Sequence, residues 1–177
     1  MITLRPYTHK DCDALHDLYE TSLRENPNGF VQDPAFHGPL KDQCHDITMG
    51  GGVVFVAETL NTQEIVGMGA LILQQSLHRP VTWELGKLHV KSSHQGRGIG
   101  RALVEHMVAF LDNRIADRVE LHVTTSQKRA IKLYEKIGFI PYQTKTYYVQ
   151  DGAKQKAFET VFMHCDLSRR GLKDEAC

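Results

Sequence analysis

Cysteine, long apolar runs and an imbalance of charge are all scarce in this 177-residue chain. Its four cysteines, Cys12, Cys44, Cys165 and Cys177, are scattered and form no Cys-x-x-Cys pair, which excludes a disulfide-built miniature fold and leaves reduced thiols as the expectation. The longest apolar stretches, such as Val66 to Leu73, fall far short of the about 20 residues needed to cross a bilayer, so no membrane partner is expected. The N-terminus, Met1-Ile2-Thr3-Leu4-Arg5, meets a charge before an apolar signal region can form, and a cytoplasmic address follows. Lys plus Arg and Asp plus Glu each number 21, for a formal net charge of zero. No whole-molecule field therefore favours nucleic acid, and any anion must be met by a local site.

What is present is the ordinary mixture of a globular protein, 41% hydrophobic and 24% charged, without repeats. A chain of this length buries roughly 70% of its unfolded surface in one core. One domain over residues 1–167, followed by a polar tail at 168–177, is the expected organisation.

The pattern alternates strands and helices. Ile2 to Arg5 reads as a strand, and from Asp11 the apolar residues Ala14, Leu15, Leu18 and Leu23 recur at helical spacing. Prolines and a glycine run interrupt residues 27–52 around a short helix near Leu40 to Met49. Val53 to Ala57 and Ile65 to Leu73 form a hairpin, and Val81 to Val90 is the next strand. A broad stripe of Ile99, Leu103, Met107 and Phe110 marks a helix facing a sheet. Val119 to Val123 is a strand, Gln127 to Lys136 a helix closed by Gly138, and Phe139 to Val149 and Phe158 to Leu167 are the last strands.

Between the fourth strand and its helix lies Gln95-Gly96-Arg97-Gly98-Ile99-Gly100. Glycines permit positive φ and leave no Cβ between the amides and an anion, while the unpaired N–H groups of a first helical turn carry partial positive charge. Arg97 and Arg101 add mobile charge. Glycines that serve only tight packing are the competing explanation. The spacing matches neither the G-x-G-x-x-G dinucleotide fingerprint nor a Gly-Lys-Ser/Thr nucleotide loop, which disfavours NAD and ATP.

The turn resembles the Gln/Arg-x-x-Gly-x-Gly/Ala signature of the GNAT superfamily of acetyl-coenzyme A-dependent N-acetyltransferases, at Gln95, Gly98 and Gly100. Leu85 to Val90 looks like that family's fourth strand, and Ala130 to Phe139 is similar to its Ala-x-x-x-Tyr-Glu-x-x-Gly-Phe helix. The residues carrying the resemblance lie between about 84 and 139. It implies an α/β layered fold: a single domain whose mixed, mostly antiparallel twisted sheet of about seven strands is parted in a V between strands 4 and 5 and flanked by about four helices.

It also implies an acyltransferase that moves an acetyl group from acetyl-coenzyme A to a primary amine by direct attack in a ternary complex. The diphosphate of acetyl-coenzyme A falls to Gln95, Gly96, Arg97, Gly98, Ile99, Gly100 and Arg101, and its pantetheine arm to the backbone of Leu88, His89 and Val90. The Leu88 amide is then the oxyanion donor. Tyr134 matches the tyrosine that protonates the departing thiolate, against the alternative of a tyrosine at the edge of the core. Glu84 matches the base that deprotonates the amine in several members, against a solvated strand-end carboxylate. His89 and His122 stand in reserve. Where many relatives have Asn, this chain has Gln127 beside Ser126, which leaves the loop contact to pantetheine open, while Lys128 and Arg129 could meet the 3′-phosphate or simply be solvated.

The acceptor is expected to be a small molecule. A protein N-terminal or lysine acetyltransferase is the alternative, with Tyr147-Tyr148 before the last hairpin, and a coenzyme A-binding module without turnover is another. No metal is expected, because Cys44, His45, His89 and His94 lack ligand spacing. The segment Phe30 to Gly52, with Phe36, His37, Lys41, Asp42 and Asp46, would border the acceptor. A homodimer is common in the family, and no sequence feature here requires one.

Overall fold

The computed structural model describes residues 1–29, 38–74, 80–112, 114–151 and 154–167. The expectations for Phe30, Phe36, His37 and the tail at 168–177 lie outside them. The elements are β1 (Ile2–Pro6), α1 (Cys12–Glu25), α2 (Leu40–Met49), β2 (Val53–Thr59), β3 (Ile65–Leu73), β4 (Thr82–Val90), α3 (Ile99–Phe110), β5 (Arg118–Thr124), α4 (Lys128–Ile137), β6 (Ile140–Asp151) and β7 (Lys154–Asp166). Single 3-10 turns at His9–Asp11 and Ser92–His94 lead into α1 and follow β4.

The strands form one seven-stranded sheet in the order β1-β2-β3-β4-β5-β7-β6. Every neighbouring pair is antiparallel except β4 and β5, which are parallel. Alternation along the strands separates two apolar layers. Trp83, Leu85, Val119, Leu121 and Val123 point to the side covered by α3 and α4, where Leu103, Val104 and Met107 complete the larger core. Val54, Val56, Met68 and Ala70 point to the opposite side and pack under Leu15, Leu18 and Tyr19 of α1 and Leu40, Cys44 and Ile47 of α2.

Local chemistry fixes the entry to α1. The Thr8 N–H donates to Asp11 Oδ2 at 2.8 Å, and Arg5 grips both Asp11 oxygens at 2.8 Å. A bidentate guanidinium on a carboxylate is directional as well as strong, so it ties β1 to the start of the helix. At the other end of the chain Gly138, at φ 107°, caps α4, and the N–H groups of Gly138 and Phe139 both donate to the Tyr134 carbonyl.

Two irregularities shape the middle of the sheet. First, β4 and β5 pair only at Thr82–Arg118, Trp83–Val119 and Glu84–Glu120. Beyond Glu84 they diverge, which is the expected V. Second, Ala70 faces Gly86 while Met68 faces His89, so β4 uses one more residue than β3 over the same span. The extra residue is a bulge that bends β4, and Lys87 sits in it at φ 53°. Nothing in the sequence reading anticipated that bulge.

Candidate active site

The glycine turn lies where β4, after its 3-10 turn, meets α3. Gly96 and Gly98 adopt φ of 75° and 81°, and a Cβ placed on either would meet nothing within 4 Å. Packing therefore does not require these two glycines. They are needed for a left-handed backbone beside open space. Gly100 differs, being helical, and a Cβ there would touch side-chain carbons of Leu133 and Val90 at 3.8 Å. It is the point where α4, α3 and the end of β4 converge.

Among the described residues the N–H groups of Gly98, Ile99, Gly100 and Arg101 have no acceptor, as the first turn of a helix leaves them. The Gln95 N–H is already used within the turn, donating to the Ser92 carbonyl at 3.2 Å. The Gln95 side chain is a tether: its Nε2 donates to the Val90 carbonyl at 3.0 Å and holds the turn against the end of β4. Arg97 reaches back to the Ser93 carbonyl, and Arg101 pairs with Glu105 one helical turn on.

A cavity of about 340 Å³ opens between α1 and the end of β4. Leu88, His89, Val90, Gln95 and Gln127 line it, facing Ser22, Glu25 and Asn26 of α1 and the loop after it. The strand end Leu88 to Val90 and Gln95, the first residue of the glycine turn, thus share one groove. Gln127 reaches the cavity and Ser126 precedes it, but their side chains are spent on the chain after α1: Ser126 Oγ donates to the Asn28 carbonyl at 2.7 Å and Gln127 Nε2 to the Gly29 carbonyl at 3.2 Å. Lys128 and Arg129 are exposed at the start of α4.

Tyr134 is buried on the inner side of α4, edge-on to Phe139 at 5.9 Å. Burial pushes its phenol well above the ordinary tyrosine value, so it stays protonated at neutral pH. Glu84 and His122, taken separately from the sequence, come together: His122 Nδ1 lies 3.5 Å from Glu84 Oε1 across the point where β4 and β5 part. Gln74 Nε2 donates to the second Glu84 oxygen at 2.8 Å. His89 is buried under α1, its ring 5.0 Å from Tyr19 and nearly perpendicular to it. Among the described residues Cys44, His45, His89 and His94 do not assemble into a group that could hold a metal.

Sequence reasoning missed Lys87. Its side chain turns to the α1 and α2 side, where Nζ is 3.5 Å from the Tyr19 hydroxyl and 5.3 Å from the centre of its ring. Burial pulls its ammonium below the usual lysine range, against the nearby Cys44 and Glu84. Gly86, isolated within a strand, was the one available signal of a bulge.

A seven-stranded sheet parted between its two parallel strands, with a glycine turn and a helix following the fourth strand, defines the class of fold. The model of the Acetyltransferase (GNAT) family matches residues 13–139. The chain belongs to that family and is an acyltransferase. It is 42% identical over 84 residues to the mycothiol acetyltransferase of Beutenbergia cavernae, a match covering 46% of this chain and only 28% of that protein. It is 25% identical over 154 residues to N-alpha-acetyltransferase 30 of Schizosaccharomyces pombe, covering 86% of this chain and 93% of the relative. Its fold matches that of a phosphinothricin acetyltransferase from Sinorhizobium meliloti solved with acetyl-coenzyme A, with a TM-score of 0.77 at 17% identity over 93% of this chain and 88% of that one. Among the described residues no helix is long and apolar enough to cross a membrane.

Proposed function

We propose that this protein transfers the acetyl group of acetyl-coenzyme A to the primary amine of a small molecule, by direct attack in a ternary complex. The observation that carries the reading is the set of unpaired N–H groups of residues 98–101 at the end of a turn whose first residue, Gln95, lines the groove beside β4. Those donors and the dipole of α3 receive the diphosphate, and the Leu88 to Val90 edge receives the pantetheine arm.

Chemistry then follows from the groups at the gap. Glu84, held by Gln74 and His122, takes a proton from the acceptor ammonium, directly or through water. The free amine attacks the thioester carbonyl carbon, a C–N bond forms, and the Leu88 N–H meets the growing negative charge on oxygen. The C–S bond breaks, and Tyr134 gives its proton to the leaving thiolate. Because burial disfavours both phenolate and thiolate, a raised phenol does not make this transfer lopsided. No acyl-enzyme is invoked, since Cys44 is buried with its thiol pushed up to about 11.

Protein N-terminal acetylation is the second reading, favoured by the likeness to N-alpha-acetyltransferase 30 along most of both chains. The test is thiol release from acetyl-coenzyme A in the presence of amino acids, other small amines and N-terminal peptides. Small amines should support release with kcat/KM above that of any peptide. Peptides alone being active would select the second reading, and acetyl-coenzyme A bound without release would make the chain a binding module.

A further inference from the structure

The bulge in β4 is occupied by an unusual residue for its shape. Lys87 holds φ at 53°, a conformation that costs a non-glycine residue about 1–2 kcal/mol and that glycine adopts freely. A lysine there keeps its side chain at a cost that a structural bulge does not require. Strain of this kind, just past the last pair between β4 and β5, points from the outlier toward a use for the side chain.

The surroundings say what that use is. Among the described residues no carboxylate comes within ion-pair distance of Lys87 Nζ, whose contacts are the hydroxyl and ring face of Tyr19. Glu84, three residues earlier and on the same side of the sheet, is near enough for its charge to be felt at Lys87. Its two oxygens, however, are directed to Gln74 and His122. Strand β4 therefore carries a carboxylate and then an ammonium on one side of the sheet just where β4 and β5 part, and among the described residues the ammonium has no carboxylate partner.

We propose that Lys87 is a specificity-determining residue that receives the carboxylate of an amino-acid-like acceptor whose amine lies at Glu84. This rests on the small-amine reading above and narrows it to amines that carry an acidic group close by. Half-burial strengthens such a pair, because a cation already stripped of part of its water gains more from a charge-assisted hydrogen bond than an exposed one does. An arriving carboxylate opposes the burial that pulls the Lys87 ammonium down.

The experiment measures kcat/KM for matched pairs of acceptors: L-amino acids, each beside the amine that lacks the carboxylate and beside its primary amide. Wild type should favour the carboxylate-bearing member of the best pair by about tenfold or more. That ratio should collapse toward one in Lys87→Met and largely persist in Lys87→Arg, which keeps the cation. Calorimetry with acetyl-coenzyme A reports whether each variant is folded; where Lys87→Met is not, Lys87→Gln takes its place with the same expected loss of the ratio. A wild-type ratio near one among active amines overturns the proposal and spares the small-amine reading. So does an equal loss on both members of a pair in Lys87→Met, since that is what a merely structural lysine would produce. Turnover with peptides and with no small amine overturns both.

Discussion

Replacing Gly98 by alanine separates an anion-binding turn from a merely compact one. The residue sits at φ 81°, and a Cβ there meets nothing within 4 Å. Gly98→Ala therefore introduces no clash, and its whole penalty is conformational, about 1–2 kcal/mol for an alanine held in the left-handed region. If the turn keeps its shape, that penalty appears as lost stability, a fall in Tm of about 2–6 °C for a chain of this size. If the turn relaxes, the N–H groups of residues 98–101 lose their alignment and the penalty appears in acetyl-coenzyme A affinity, about five- to thirtyfold in Kd. Calorimetric titration and thermal unfolding on the same samples should give losses that sum to about 1–2 kcal/mol. Gly100→Ala is the internal control. Its backbone is already helical and its Cβ would point at Leu133 and Val90, so it gains helix propensity and should raise Tm while costing less affinity than Gly98→Ala. Wild-type affinity and wild-type Tm together in Gly98→Ala, or a greater affinity loss in Gly100→Ala, would refute the reasoning.

Three further outcomes follow from the same geometry. Tyr134→Phe should lower kcat on the order of 100-fold while changing the KM for acetyl-coenzyme A much less, as steady-state kinetics will show; unchanged turnover retires the phenol as proton donor. Glu84→Gln should lower kcat/KM and flatten the acid limb of its pH profile, whereas His122→Asn should reduce the rate and keep that limb; the reverse pattern makes His122 the base. Asp11 is held at about 2 against a usual 3.8, chiefly by hydrogen bonds from Arg5. A depressed carboxyl contributes stability that is complete above its unfolded value and lost as pH falls through the folded one. Asp11→Asn should therefore cost about 2 kcal/mol in urea unfolding above pH 5, and the gap to wild type should close as pH falls from about 4 toward 2. A gap that stays constant over that range removes the ion pair as its cause.

Much of this molecule could be read from local pattern. Helix period, strand alternation and the stop at Gly138 are nearest-neighbour properties, set by backbone sterics and by which face of an element is apolar. The two left-handed glycines at 96 and 98 and the helix behind them belong to the same kind of information, because a turn and a first helical turn are made by consecutive residues. Tyr134 was legible too, through the motif around it, although its degree of burial was not. The tail at 168–177 and the segment around Phe36 add nothing to this comparison, since both lie outside the described residues.

Tertiary structure decided everything that depends on residues distant in the chain. That Glu84 and His122 form one unit depends on the parallel pairing of β4 and β5 stopping at Glu84 and Glu120, a register that no single strand contains. That Ser126 and Gln127 are committed to Asn28 and Gly29 depends on α1 ending beside the loop before α4. The bulge at Lys87 arises only when β4 must match β3 with one residue too many, so its strained φ and its place beside Tyr19 are properties of the assembled sheet. Composition and order along the chain determined which elements form and where the left-handed glycine turn lies; the packing of those elements determined which side chains meet where β4 and β5 part.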